Sequence, residues 1–94
     1  MSIDSGERLL RGRWINEDGK VVPDEMCIRI TYLIENELEK VGESPEWGAW
    51  EVLYYDPNDG RFWERTFPEG ERHGGGPPQL KCIEHEEAKK KYRL

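Results

Sequence analysis

The chain has 94 residues, of which 20 are acidic and 14 basic, for a net charge of −6. That length holds one domain and excludes a two-domain enzyme, a barrel of eight βα units or a dinucleotide-binding fold. The acidic excess argues against nucleic acid or an anionic membrane surface as a partner. Only 35 % of the residues are hydrophobic, but four Trp and four Tyr can each bury a large area, so a folded domain with an aromatic-heavy core is expected. No apolar run approaches the roughly 18 residues of a spanning helix. The first residues, MSIDSGERLL, lack a basic stretch followed by an apolar one, so a cytoplasmic protein with two reduced cysteines is expected.

Residues 1–8 are polar and read as a flexible arm, with a single domain over 9–94. Gly12 to Ile15 and Lys20 to Val22 flank Asn16-Glu17-Asp18-Gly19. Asp-Gly between short apolar runs predicts a hairpin, because glycine accepts the positive φ that such turns need. Pro23 ends the second strand and Asp24 is placed to cap a helix. From there Met26, Cys27, Ile30, Leu33, Ile34, Leu38 and Val41 recur at helical spacing, and Gly42 supplies a stop. A helix over about 25–41 follows. Glu37 falls inside its apolar stripe, where it either reaches water, pairs with Arg29, Arg61 or Arg65, or belongs to a site. Ile28 and Tyr32 fall on the opposite face, in line with Glu35 and Glu39.

Residues 43–48 read as a loop and Ala49 to Tyr55 as a strand rich in Trp, Val and Tyr. Asp56-Pro57-Asn58-Asp59-Gly60 is a turn, and Arg61 to Phe67 the returning strand. Both strands carry aromatics on both faces, so alternation alone does not say which face is core. A Gly/Pro-rich loop spans 68–78, a short strand Gln79 to Ile83, and a charged helix Glu84 to Tyr92. The order β-β-α-β-β-β-α predicts an α+β domain of two layers. It would have an antiparallel sheet of four to five strands, one long amphipathic helix and a short C-terminal helix.

His73-Gly74-Gly75-Gly76 matches an oxyanion-hole motif of esterases, but no G-x-S-x-G elbow accompanies it, so the glycines read as loop formers. Cys82-x-x-His85 is half of a zinc pattern and lacks its second pair. His73 beside Glu71 and Arg72 has no cationic phosphate surface around it. No catalytic, metal or cofactor site is therefore expected. The charge itself is uneven. Residues 24–46 carry seven acids and two bases, a local net of −5. An acidic face with aromatic anchors suits a basic protein partner. Two candidate contact surfaces emerge. One is the helix and its exit (Tyr32, Glu35, Glu39, Glu43, Glu46, Trp47). The other is the loop from Glu69 through Glu71, Arg72, His73 and Gly74.

Longer patterns run through the chain. They are Gly12-x-Trp14 with Asp18-Gly19-x-Val21, then Asp24-x-x-Cys27-x-Arg29-Ile30. Next come Trp50-Glu51-x-Leu53-Tyr54-x-Asp56-Pro57-x-Asp59-Gly60-Arg61-x-Trp63-Glu64, His73-Gly74-Gly75-Gly76-Pro77-Pro78-x-Leu80 and Glu86-Glu87-Ala88-x-x-x-Tyr92. With them, residues 9–93 resemble the immunity protein 27 family of bacterial polymorphic toxin systems. Glu84-His85 departs from the pattern, where a Ser-type helix cap would be expected, and this bears on capping. The resemblance implies a non-enzymatic inhibitor that binds a cognate toxin domain and protects its producer. It carries no catalytic residues and names no toxin chemistry. A nuclease, whose cleft must be basic to hold phosphate, is one toxin class that an acidic domain fits. The alternative is a small acidic protein-interaction module without a toxin. The oligomeric state is not legible in the sequence.

Overall fold

The computed structural model describes residues 2–70 and 76–94. Three short strands come first, β1 (Leu9–Arg11), β2 (Trp14–Glu17) and β3 (Lys20–Pro23), followed by helix α1 (Glu25–Asn36). Strands β4 (Glu39–Ser44), β5 (Gly48–Tyr55), β6 (Phe62–Thr66) and β7 (Gln79–Ile83) lead to helix α2 (His85–Tyr92). Five strands form one antiparallel sheet in the order β1-β7-β6-β5-β4, and β2 with β3 forms a separate hairpin. The α+β class and the expected order hold, with β1 and β4 added as short strands.

Local chemistry sets most of these elements. Asp18 and Gly19 both have positive φ, 52° and 79°, which matches the twist of a two-residue hairpin turn. The Asp24 side chain accepts the Cys27 amide at 2.9 Å and caps α1. The Asp56 turn closes through Gly60 N–H to the Asp56 carbonyl at 2.8 Å, with Gly60 at φ 77°. At the start of α2 the cap residue is Glu84, whose side chain makes no capping bond.

The first helix is shorter than its apolar spacing predicts. It ends at Asn36, and the amides of Glu37 and Leu38 both return to the Leu33 carbonyl. Leu38 still enters the core, but from the connection to β4. Val41 and Gly42 do not form a last helical turn and its stop but lie in β4 at the edge of the sheet. Val41 sits at a bulge between Lys40 and Gly42 and is exposed. Pairing with β5 outweighs helix extension there, because Gly42 is a poor helix residue and the ladder supplies alternative hydrogen bonds.

Both sheet faces are used, which is why the aromatics alternate to both sides. Leu10, Val52, Tyr54, Trp63 and Leu80 point to α1 and meet Ile30 and Leu33, with Met26 and Ile34 at the margin. Leu53, Ile83 and the half-buried Phe62 point the other way and meet Ala88 and Tyr92 of α2. The sheet and α1 form the two expected layers, and α2 covers part of the second face. Residues 2–8 lie along the α1 side. Arg29 bonds both oxygens of the Glu7 carboxylate at 2.7 and 2.6 Å, and Arg61 bonds the carbonyls of Glu7 and Asp4. Glu37 is the half-exposed C-cap of α1, outside the buried stripe. The three arginines considered for it bond elsewhere: Arg29 to Glu7, Arg61 to Asp59 and Arg65 to the Ala49 carbonyl.

Candidate functional site: an aromatic cleft at the end of β5 and β6

Trp50 lies near the start of β5 on the face of Val52 and Tyr54 but, unlike them, is 53 % exposed. The turn before it is set by Ser44, whose hydroxyl accepts the amides of Glu46 and Trp47 at 3.2 and 3.1 Å. Gly48 follows at φ 58°, and Trp47 is left 57 % exposed. Trp50 meets Phe67 edge-on at 5.5 Å between centroids. The Arg65 guanidinium lies 4.8 Å from the Phe67 ring and donates to the Ala49 carbonyl, which steadies this wall.

Trp47, Trp50, Glu51, Thr66, Phe67, Pro68 and Gly70 line a cleft of about 440 Å³. A second hollow of about 320 Å³ lies between α1 and the sheet, with Ile34, Glu35 and Arg65 among its lining. Phe67 borders both hollows. Two exposed tryptophans beside a rigid sheet are a costly surface for a protein that meets only water. Such surfaces recur as binding anchors.

Of the described residues expected from the sequence to make contact, Trp47 is the one that lines this cleft. Trp47 comes from the exit of the helical region, while Pro68 and Gly70 begin the Gly/Pro-rich loop. Tyr32 and Glu35 lie on the exposed side of α1, and Glu35 borders the second hollow. The other acids disperse. Glu39 lies on β4 opposite Tyr55, and Glu43 pairs with Lys40 at 3.0 Å. Glu46 lies in a hollow with Lys90, Lys91 and Arg93, so bases offset it. Glu69 lies 3.8 Å from Arg11, beside Arg13, Trp14 and Pro77. Glu71, Arg72, His73 and Gly74 lie outside the described residues.

Trp50, Glu51 and Phe67 were not singled out by the sequence reasoning. Their signal was the aromatic excess on both faces of one hairpin. Glu51 is the ionisable residue among the described lining of the cleft, and its carboxylate is engaged by α2. Its Oε2 accepts Lys91 Nζ at 3.2 Å, and the same Nζ lies 2.7 Å from Glu64. The Tyr92 hydroxyl donates to Glu64 at 2.7 Å. Burial works against the Lys91 charge, but hydrogen bonds to Glu64 and Glu51 outweigh it and hold its pKa above the usual lysine value. Burial and the Glu64 carboxylate push the Tyr92 phenol up in turn.

The half-patterns for metal have other roles. Burial raises the Cys27 thiol, whose sulfur donates to the Arg13 carbonyl, and Cys82 accepts from Arg8. His85 bonds the Gly60 carbonyl at 2.9 Å and packs edge-on against Phe62. Among the described residues, no group of three or more His, Cys, Asp or Glu is arranged to hold a metal ion. Likewise, no helix among them is long and apolar enough to cross a membrane.

A family model described as immunity protein 27 matches residues 16–84. No curated protein and no solved structure matches the chain.

Proposed function

The chain belongs to the immunity protein 27 family, and from the toxin-neutralising role which that membership implies we propose that it binds the toxin domain of a bacterial polymorphic toxin system. The family is generally non-enzymatic, and on this reading the protein acts by occupation alone. The observation that carries the choice of surface is the pair of exposed tryptophans, Trp47 and Trp50, in one cleft with Phe67 and Pro68. We place the contact there, flanked by Tyr32 and Glu35 on α1 and by the loop that leaves the cleft at Gly70. Rigid aromatic anchors supply area at little entropic cost, and the chain's −6 charge speeds encounter with a basic partner. A toxin with a basic catalytic cleft, such as a nuclease, fits that field. The proposed compartment is the cytoplasm, and the free Cys27 and Cys82 agree with a reducing environment.

The test is co-expression with the toxin domain encoded beside this gene, followed by measurement of affinity. Protection of the cell and a stable complex are expected. Trp47→Ala with Trp50→Ala should weaken the complex by about 30-fold or more while changing stability by under about 1 kcal/mol, as hot spots on an exposed surface do. Glu35→Lys with Glu39→Lys should slow association and reduce its salt dependence. Unprotected cells and no complex would sink the reading. A stable host partner recovered in place of a toxin would favour the general interaction module.

A further inference from the structure

We infer that the exposed face of α1 docks an amphipathic helix of the toxin domain, one whose apolar side chains are flanked by lysine or arginine. The inference rests on the toxin-binding reading and adds the kind of element the toxin presents. Glu25, Ile28, Tyr32 and Glu35 follow one another at steps of three, four and three residues, so they form one stripe along the helix. It lies opposite the buried residues Cys27, Ile30 and Leu33, and Ile28 stays 55 % exposed and Tyr32 39 %. Beside Ile28, a hollow of about 190 Å³ is completed by Pro23, Cys27 and Thr31 and suits one apolar side chain of a facing helix. Thr31 also borders the hollow between α1 and the sheet, which Phe67 joins to the Trp47–Trp50 cleft. The stripe is therefore continuous with the proposed contact.

Charge selects the occupant. Glu25 and Glu35 stand exposed at the two ends of the stripe, and among the described residues neither has an ion-pair partner. Arg29, the single base of α1, is held by both oxygens of the Glu7 carboxylate and also donates to the Ser2 carbonyl. Arg65, which lines the hollow next to Glu35, is turned to the Ala49 carbonyl and the Phe67 ring. A second copy of this chain is a poor occupant on that ground. Paired antiparallel it would set Glu25 against Glu35, and paired parallel it would set each against itself. Basic residues flanking a partner's apolar side chains meet the two carboxylates at the rim, while Ile28 and Tyr32 are covered at the centre. The partner element is a helix and not a strand. The main-chain groups of α1 are spent inside the helix, so its face offers side chains and no ladder for a strand to join.

The experiment measures binding of the toxin domain encoded beside this gene to the full chain and its variants. Ile28→Ala with Tyr32→Ala should weaken the complex by about tenfold or more without lowering the urea midpoint, since both side chains face water in the free protein. Glu25→Lys and Glu87→Lys change the net charge equally, and each sits in the first turn of its helix, but the two helices lie on opposite faces of the sheet. Glu25→Lys should slow association at low salt by about fivefold relative to Glu87→Lys. Equal slowing would mean that only the overall charge matters, and it overturns the inference. A photo-cross-linker at Thr31, exposed beside the stripe, should capture a toxin helix that carries Lys or Arg next to apolar residues. Capture of a strand or of a second copy of this chain, or no capture of the toxin, overturns it as well. A complex that keeps its affinity in the Ile28→Ala, Tyr32→Ala variant sinks this inference and leaves the toxin reading standing. Failure to form any complex sinks the reading beneath it, and this inference with it.

Discussion

Gly12 has no room for a side chain. A Cβ built there would lie 2.5 Å from the Cys27 sulfur and 3.0 Å from the Pro78 carbonyl oxygen, while its own amide donates to that carbonyl at 2.9 Å. Gly12→Ala is expected to cost about 1–3 kcal/mol, read as a lower urea midpoint, because the Cys27 sulfur is buried and bonded to the Arg13 carbonyl and the other neighbour is backbone. An unchanged midpoint would show that β1 and Pro78 can separate. At this scale the sequence was legible where partners are close in the chain. The Asp24 cap and the Asp18-Gly19 turn lie within three residues of what they bond. The Glu7–Arg29 pair, 22 residues apart, and the Tyr92–Glu64 bond, 28 apart, carry no local signal.

The boundary between α1 and β4 is where element-level reasoning went furthest astray. Apolar residues at 38 and 41 continue the helical spacing, yet their environments differ. Leu38 is buried against α1, and Val41 stands at an exposed bulge. Leu38→Ala should therefore cost about 2–4 kcal/mol, while Val41→Ala should stay within about 0.5 kcal/mol. Comparable losses at the two positions would restore the longer helix. The bulges and charges of β4 also suit an edge strand that must resist pairing with other chains.

For the molecule as a whole, the stretch before β1 is bound to the domain by charge. Hydrogen bonding to Arg29 holds the Glu7 carboxyl at about 2 in the folded protein, against an ordinary value of 4.5. A lowered folded pKa means that the unfolded chain binds the proton more readily. The stability from this contact is thus fully present above about pH 4.5 and is lost as pH falls toward 2. Urea midpoints should decline over that window, and Glu7→Gln should flatten the decline while lowering stability at neutral pH by about 1–2 kcal/mol. An equal decline in the variant would assign acid sensitivity to other carboxylates. The −6 net charge also changes meaning at this scale. Residues 24–46 look like one acidic block in the sequence, but folding places Glu43 with Lys40 and Glu46 among the bases at the end of α2. Glu35 and Glu51 remain beside the aromatic hollows.

The sequence by itself determined the α+β class, the two sharp turns, the capped start of α1 and its buried stripe. Its motif blocks also sufficed for the family. Each of these rests on residues a few positions apart, whose conformations are set by their own backbone and nearest neighbours. The tertiary structure alone decided that α1 stops at Asn36, that both sheet faces are packed, which acids keep an open surface, and that Trp47 and Phe67 line one cleft. Those outcomes depend on strand pairing and on which helix covers which face, and both are set by contacts between segments far apart in the chain.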